Sequence, residues 1–200
     1  MAVNNIQFTK IELQIAKYLF KHYKDKYNAR QLARVLNINH AHANKLCNIL
    51  ADKKLLVKEE LGNSVYFSYN YNSKLAVKFI EYLLSLEEFP NWLIVPLHSL
   101  NKFKPLIKLG LVFGSSVMTK DFNDIDVLLV YEKKKSRDVK RIKDVIRKSE
   151  LLEKPIRYVD ITEEDILLNK EDKIFYNIIS GNLIFHGPEK YVEIVKKCRK

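Results

Sequence analysis

The spacing of apolar residues changes near the middle of this chain of 200 residues, and that change limits the folds it can adopt. In the first part, apolar residues recur every three or four positions, as at Ile11, Ile15 and Leu19, which indicates amphipathic helices. In the second part they form short continuous runs between charged segments, which indicates buried strands alternating with helices. The pattern predicts an α+β chain with two domains.

The first 72 residues predict three helices followed by a hairpin. Helical spacing covers residues 8–23, and Asn28 is suited to cap a second helix. A tight turn at 37–39 leads to a third helix with Leu46 and Leu50 on its inner face. The hairpin consists of two strands and the turn between them: 55–58, Gly62-Asn63 and 65–69.

Residues 73–97 are expected to form a linker that begins with a helix at 73–89. One stripe of this helix is apolar and is expected to be buried: Leu75, Phe79, Tyr82, Leu83 and Leu86. The second domain then covers residues 98–200. Its expected strands are 106–113, 125–131, 156–161 and 183–186, and its expected helices are 137–148, 162–169 and 172–180.

The charge of the chain favours a polyanionic partner. The net charge is +11, and residues 1–58 hold eleven Lys/Arg against three Asp/Glu, a local excess of +8. Residues 133–148 hold nine against two, an excess of +7. A solvated basic surface is the alternative for either segment, and the basic helix 137–148 fits RNA, DNA or solvent equally well.

Several classes of protein are disfavoured by the sequence. No apolar run approaches the roughly 18 residues that span a bilayer, and residues 1–10 lack the apolar core of a signal peptide. We therefore expect a cytosolic protein without a membrane partner. Cys47 and Cys198 lie far apart and form no CxxC pair, which argues against structural zinc and against a disulfide framework.

Residues 8–70 resemble the winged helix-turn-helix family of transcription regulators, most clearly in the segment 29–38. The resemblance implies a domain of three helices and a β-wing that binds duplex DNA, with the third helix entering the major groove by its N-terminal end. The side chains off the apolar face of that helix, and the lysines beside it, would contact bases and phosphates: Asn39, His40, His42, Asn44, Lys45, Lys53, Lys54 and Lys58. Regulators of this kind commonly read palindromes as homodimers, although some winged helices contact protein instead.

Two carboxylates in the second domain lie at the start of an apolar run. Asp124 and Asp126 are two residues apart on an expected strand, so their side chains project from the same face. Like charges held together are stabilised by a cation, which makes the pair a natural Mg²⁺ site. Gly114 and Ser115 follow another apolar run, where a glycine lets phosphate oxygens approach the backbone.

This combination resembles the nucleotidyltransferase superfamily that shares the palm of DNA polymerase β, and its minimal bacterial and archaeal members above all. The resemblance covers about residues 98–188 and implies an α/β nucleotidyltransferase fold, a mixed sheet flanked by helices. It implies that Asp124, Asp126 and Asp160 hold two Mg²⁺ or Mn²⁺ ions. Gly114, Ser115, Ser116 and Lys120 would hold the phosphates of an NTP such as ATP. The loop 116–123 is shorter than is usual in the family and has no Arg-Gly, and Lys120 would supply the missing charge.

Two functions follow from these resemblances. As an enzyme, the chain would transfer NMP from an NTP to a hydroxyl of a protein, an RNA or a small molecule. It could then be an autoregulating antitoxin whose protein partner is a toxin. As a transcription regulator, it would bind nucleotide or metal as an effector without turnover.

Overall fold

The computed structural model describes residues 7–149 and 152–199 and confirms an α+β chain with two separate sheets. The chain divides into two compact units, the first ending at Leu83 and the second comprising Leu84–Cys198. The strands are β1 (Tyr27–Asn28), β2 (Leu56–Leu61), β3 (Ser64–Tyr69), β4 (Leu109–Phe113), β5 (Ile125–Val130), β6 (Ile156–Ile161) and β7 (Asn182–His186).

The helices of the first unit are α1 (Lys10–Lys21), α2 (Ala29–Val35), α3 (His40–Asp52) and α4 (Lys74–Ser85). Those of the second unit are α5 (Ile94–Leu100), α6 (Ser115–Met118), α7 (Ser136–Arg147), α8 (Glu163–Leu168), α9 (Lys173–Ser180) and α10 (Pro188–Cys198). Helix α4 ends two residues beyond the division between the units. In the described ranges, no helix combines the length and the apolar character needed to cross a membrane.

In the first unit, side chains fix where the helices begin. Thr9 and Glu12 form a capping box at α1, and Asn28 and Gln31 form another at α2. Helices α1, α2 and α3 enclose a core that includes Ile15, Leu32 and Leu50, each less than 1% exposed. Helix α3 packs against β2 of a three-stranded antiparallel sheet in the order β1-β3-β2, whose β2–β3 turn contains Gly62 at a φ of +59°. The strand β1 was not expected from the sequence.

Helix α4 buries a different face from the one its sequence suggested. Ala76, Ile80 and Leu84, spaced four residues apart, are at most 1% exposed. Three of the five stripe residues are instead exposed: Leu75, Tyr82 and Leu86. The expectation failed because both faces of this helix are apolar, so periodicity alone could not select the buried one.

The second unit is built on a four-stranded mixed sheet in the order β6-β5-β4-β7. β5 pairs in parallel with β6, and β4 pairs antiparallel with both β5 and β7. One face carries Val112, Val127 and Leu129, which pack in a core with Val139 and Ile146 of α7. On the other face Leu111 and Leu128 are buried. Helix α10 packs against β4. Helices α5, α6 and α10 were not expected from the sequence, which predicted a loop over 116–123, where α6 lies in part.

Candidate functional site

Gly114 lies directly after β4 in a conformation that other residues rarely adopt. Its φ is +78° and its ψ is −158°, a region essentially restricted to glycine. A Cβ added there would lie 2.5 Å from Oδ2 of Asp126. Phe113 and Asp126 are paired residues of β4 and β5, so the turn at Gly114 runs past the carboxylate. Both the backbone conformation and the close approach therefore require a glycine.

Asp124 and Asp126 come together at the start of β5, as their spacing predicts. Asp124 precedes the strand and is 15% exposed, and Asp126 is half-buried within it. Burial raises the pKa of Asp126, and the negative charge of Asp124 raises it further. The two carboxylates therefore repel each other in a partly desolvated position, where a cation between them would be favourable.

Arg157 is a member of this site that the sequence did not reveal. Its Nε lies 2.8 Å from Oδ2 of Asp124, and its side chain is 73% exposed. In the parallel β5–β6 pair, Arg157 is the partner of Asp126 and therefore shares its face of the sheet. Its positive charge lowers the pKa of Asp126, opposing the two influences that raise it. The alternation of β6 showed that Arg157 and Asp160 face opposite ways, but not which of them faces the pair.

Asp160 is not brought to the pair, contrary to expectation. Its partner in β5 is Leu129, so it projects from the face opposite to Asp126 and three residues further along the strand. There it forms an ion pair with Lys143 of α7, whose Nζ also lies 4.6 Å from the centre of the Tyr158 ring. Among the residues that the structure describes, no group of three or more His, Cys, Asp or Glu side chains is arranged to hold a metal.

The expected phosphate ligands differ in their exposure and position in the structure. Ser115 is exposed and begins α6 directly after Gly114. Ser116 is buried, its Oγ lies 3.4 Å from the carbonyl of Phe113, and its own carbonyl accepts a hydrogen bond from Trp92. It holds the turn rather than facing outward. Lys120 is exposed and lines a cleft of about 270 Å³ with Trp92 and residues on the Ile125 face of the sheet.

The donor set at Asp124 and Asp126 fits a single divalent cation. Two carboxylates supply hard oxygen ligands, and Mg²⁺ is typically held by one or two carboxylates together with phosphate oxygens and water. The Gly114 turn leaves backbone accessible beside them, and Arg157 offers a guanidinium suited to phosphate. The arrangement can therefore hold a nucleotide phosphate through one cation and one arginine.

In the first unit, the exposed face of α3 and the β2–β3 turn line one polar cleft. His40, His42, Asn44 and Lys45 are all exposed along this face of α3. The cleft has a volume of about 350 Å³ and is lined by the start of α2, the start of α3 and the β2–β3 turn. Its lining residues are Asn28, Ala29, Arg30, His40, Asn44, Asn63, Ser64 and Val65.

Asn39 and Lys53 are engaged in structural contacts rather than free to meet DNA. Asn39 is the N-cap of α3, and its Oδ1 accepts hydrogen bonds from the backbone N–H groups of Ala41 and His42. Nζ of Lys53 lies 3.0 Å from Oε1 of Glu12, and it also donates to the carbonyl of Gln7. Capping and ion pairing therefore account for these two residues.

The remaining lysines of the expected DNA surface are exposed between α3 and β2 and within β2. Lys54 is exposed and adopts a left-handed conformation with a φ of +61°. Lys58 is exposed as well, and its Nζ lies 3.9 Å from Asp52, whose side chain is 78% exposed. Such an exposed pair is weak and can open to meet a phosphate.

Comparison with protein-family models, with curated proteins and with solved structures found no significant match to this chain.

Proposed function

We propose that this chain is a cytosolic, DNA-binding regulator whose second unit binds a nucleoside triphosphate together with one divalent cation. In this proposal the first unit is a winged helix, the second a nucleotidyltransferase-like fold, and the bound nucleotide an effector. The observation that carries the proposal is the contact of Gly114 with Asp126, beside Asp124 and Arg157.

Binding of duplex DNA is supported by the cleft in the first unit. The exposed donors and acceptors of His40 and Asn44 suit base edges, and Lys45, Lys54 and Lys58 suit phosphates. The local excess of +8 over residues 1–58 would attract the duplex. A homodimer reading a palindrome is part of this proposal.

Binding of a nucleotide is supported by the charge arrangement of the second unit. Asp124 and Asp126 would hold Mg²⁺ or Mn²⁺, which would neutralise phosphate charge. Arg157 and Ser115 could then bind further phosphate oxygens, because both are exposed and lie next to the carboxylate pair. ATP is the first nucleotide to test.

Nucleotidyl transfer is a second candidate, favoured by the Gly114-Ser115 turn placed against the carboxylate pair. It would need the pair to support two-metal chemistry with a hydroxyl acceptor, such as that of a toxin-like protein or an RNA. The ion pair of Asp160 with Lys143 on the opposite face, and Arg157 on the near face, argue for binding without turnover.

The two candidates are separated by measuring pyrophosphate release. The full chain would be incubated with each of the four NTPs and Mg²⁺, with and without duplex DNA, RNA or a candidate protein partner. We expect no release above that of the Asp126→Asn variant. Release that requires Mg²⁺ and is lost in this variant would establish the transferase instead.

The DNA proposal is tested separately, with a duplex selected by the wild-type chain from a random pool. We expect His40→Ala/Asn44→Ala to weaken binding and reduce sequence preference, whereas Lys53→Gln should leave the dependence on salt unchanged. Unchanged binding by the α3 double variant would contradict the assignment of this face.

A further inference from the structure

The outer face of α7 is a stripe of positive charge. On the inner side of the helix, Val139 and Ile146 are at most 2% exposed within the core of the second unit. At 3.6 residues per turn, the basic residues of the outer side lie on one face. These exposed residues are Arg137, Lys140, Arg141, Arg147 and, directly after the helix, Lys148.

Most of this charge is not neutralised by a carboxylate. Lys143, on the flank of the helix, pairs with Asp160, and Arg147 lies 3.8 Å from Asp144, the one acidic residue of the outer face. Within the described part of the chain, no ion pair involves the other four cations: Arg137, Lys140, Arg141 and Lys148.

The stripe contrasts with a group of three lysines around Glu163 in the same unit. Lys108, Lys190 and Lys197 all lie within 4 Å of Glu163, so their charges are locally compensated. On the outer face of α7, by contrast, four cations without an ion pair to any described residue lie close together beside a single carboxylate, that of Asp144, which leaves a local excess of positive charge. The uncompensated face therefore indicates an anionic partner.

We propose that the outer face of α7 binds the phosphate backbone of a nucleic-acid duplex, as a second nucleic-acid surface separate from α3. From Arg137 to Lys148 the helix rises by about 16 Å. A duplex presents one negative charge per about 1.7 Å of its axis, so roughly nine phosphate charges lie within that length. The four uncompensated cations match such a repeating array.

The side chains of this face select a duplex over other polyanions. No aromatic residue lies in α7, whereas sites for single strands commonly stack bases on aromatic rings. A membrane-bound helix inserts an apolar face into the lipid, but Val139 and Ile146 are already buried within the protein. Contact through phosphates alone also implies that the stripe reads no sequence.

The test uses the full chain and compares two double variants that each remove two positive charges. Arg137→Gln/Arg141→Gln removes adjacent charges of the stripe. Lys173→Gln/Lys196→Gln is the control, because these lysines lie on α9 and α10 and neither forms an ion pair with another described residue. Binding of a duplex of unselected sequence is followed by fluorescence anisotropy over a range of salt concentrations.

The quantity compared is the slope of log K against log salt. Each lost phosphate contact reduces this slope by about 0.9 for B-DNA, so the stripe variant should lose about 1.8 and the control nothing. Equal losses in the two variants would show that only net charge matters and would overturn the proposal. Tighter binding of a single strand, or of vesicles with anionic lipid, would overturn the choice of a duplex.

Repeating the comparison in the His40→Ala/Asn44→Ala background separates this inference from the proposed role of α3. If the stripe acts independently, the difference of about 1.8 in slope persists in that background. Loss of the difference in the α3 variant background would mean that α7 makes no independent contribution to binding.

Discussion

Arg157 donates to Asp124 over 2.8 Å from the neighbouring parallel strand, on the same face of the sheet as Asp126. The negative charge of the carboxylate pair is thus partly neutralised by one positive charge from the protein. A cation entering the site would compete with the guanidinium for Asp124, and Arg157 would then be free to contact phosphate.

Removing this arginine should strengthen the binding of Mg²⁺ alone. An ion pair with an exposed partner is worth about 0.2–1 kcal/mol, so Arg157→Gln should tighten Mg²⁺ by up to about fivefold. The same variant should weaken the nucleotide, because a phosphate ligand is lost. Titration calorimetry with Mg²⁺, and then with ATP at saturating Mg²⁺, measures both effects. Arg147→Gln is the matched control, and a change of both affinities in the same direction would contradict the assignment.

Gly114 should tolerate no side chain while Asp126 is present. Gly114→Ala combines the strain of a positive φ with the 2.5 Å approach to Oδ2 of Asp126, and strain alone costs about 1–3 kcal/mol. In an Asp126→Ala background the clash is removed, so the same substitution should cost less. Denaturant unfolding of the four proteins forms a double-mutant cycle. Equal costs in both backgrounds would show that the two residues do not interact.

Asp126→Asn should stabilise the protein in the absence of metal. Because the pKa of Asp126 is raised by burial and by Asp124, its contribution to stability is present below the pKa of the unfolded chain. That contribution is lost as pH rises through the raised pKa of the folded state. At neutral pH the amide should therefore raise the thermal unfolding midpoint. Asp124→Asn breaks the ion pair with Arg157 and should not raise it.

The same raised pKa sets how Mg²⁺ binding depends on pH. Protons compete with the cation for Asp126, so affinity should begin to fall at a higher pH than for an ordinary aspartate. Titrations of Mg²⁺ at successive pH values measure this onset. In Arg157→Gln the onset should move to still higher pH, because the positive charge that lowers the pKa of Asp126 is gone.

Asp160→Asn should affect stability and leave the nucleotide site unchanged. The substitution deprives Lys143, which is 13% exposed, of its charged partner. Because the Asp160 side chain is 39% exposed, we expect a loss of about 0.2–1 kcal/mol in the free energy of unfolding. Nucleotide affinity, measured below the unfolding transition, should match that of wild type. A selective loss of nucleotide binding would return Asp160 to the site.

Structure was predicted correctly from the sequence where a residue type determines the conformation of its own segment. Asn28 as the cap of α2, the Gly62 turn, and the shared face of Asp124 and Asp126 all follow from local geometry. Prediction from the sequence failed where the structure depends on contacts with residues that are distant in the chain. The buried face of α4 and the orientation of β6, which turns Arg157 rather than Asp160 toward the pair, are fixed by packing and register.

Equilibrium titration of ATP into the full chain, with and without Mg²⁺, tests the central claim most directly. Wild type should bind one ATP per chain in a Mg²⁺-dependent manner, and Asp124→Ala/Asp126→Ala should lose this binding while remaining folded by circular dichroism. Binding of ATP by the double variant with unchanged affinity, or its absence from wild type for all four NTPs, would contradict the account.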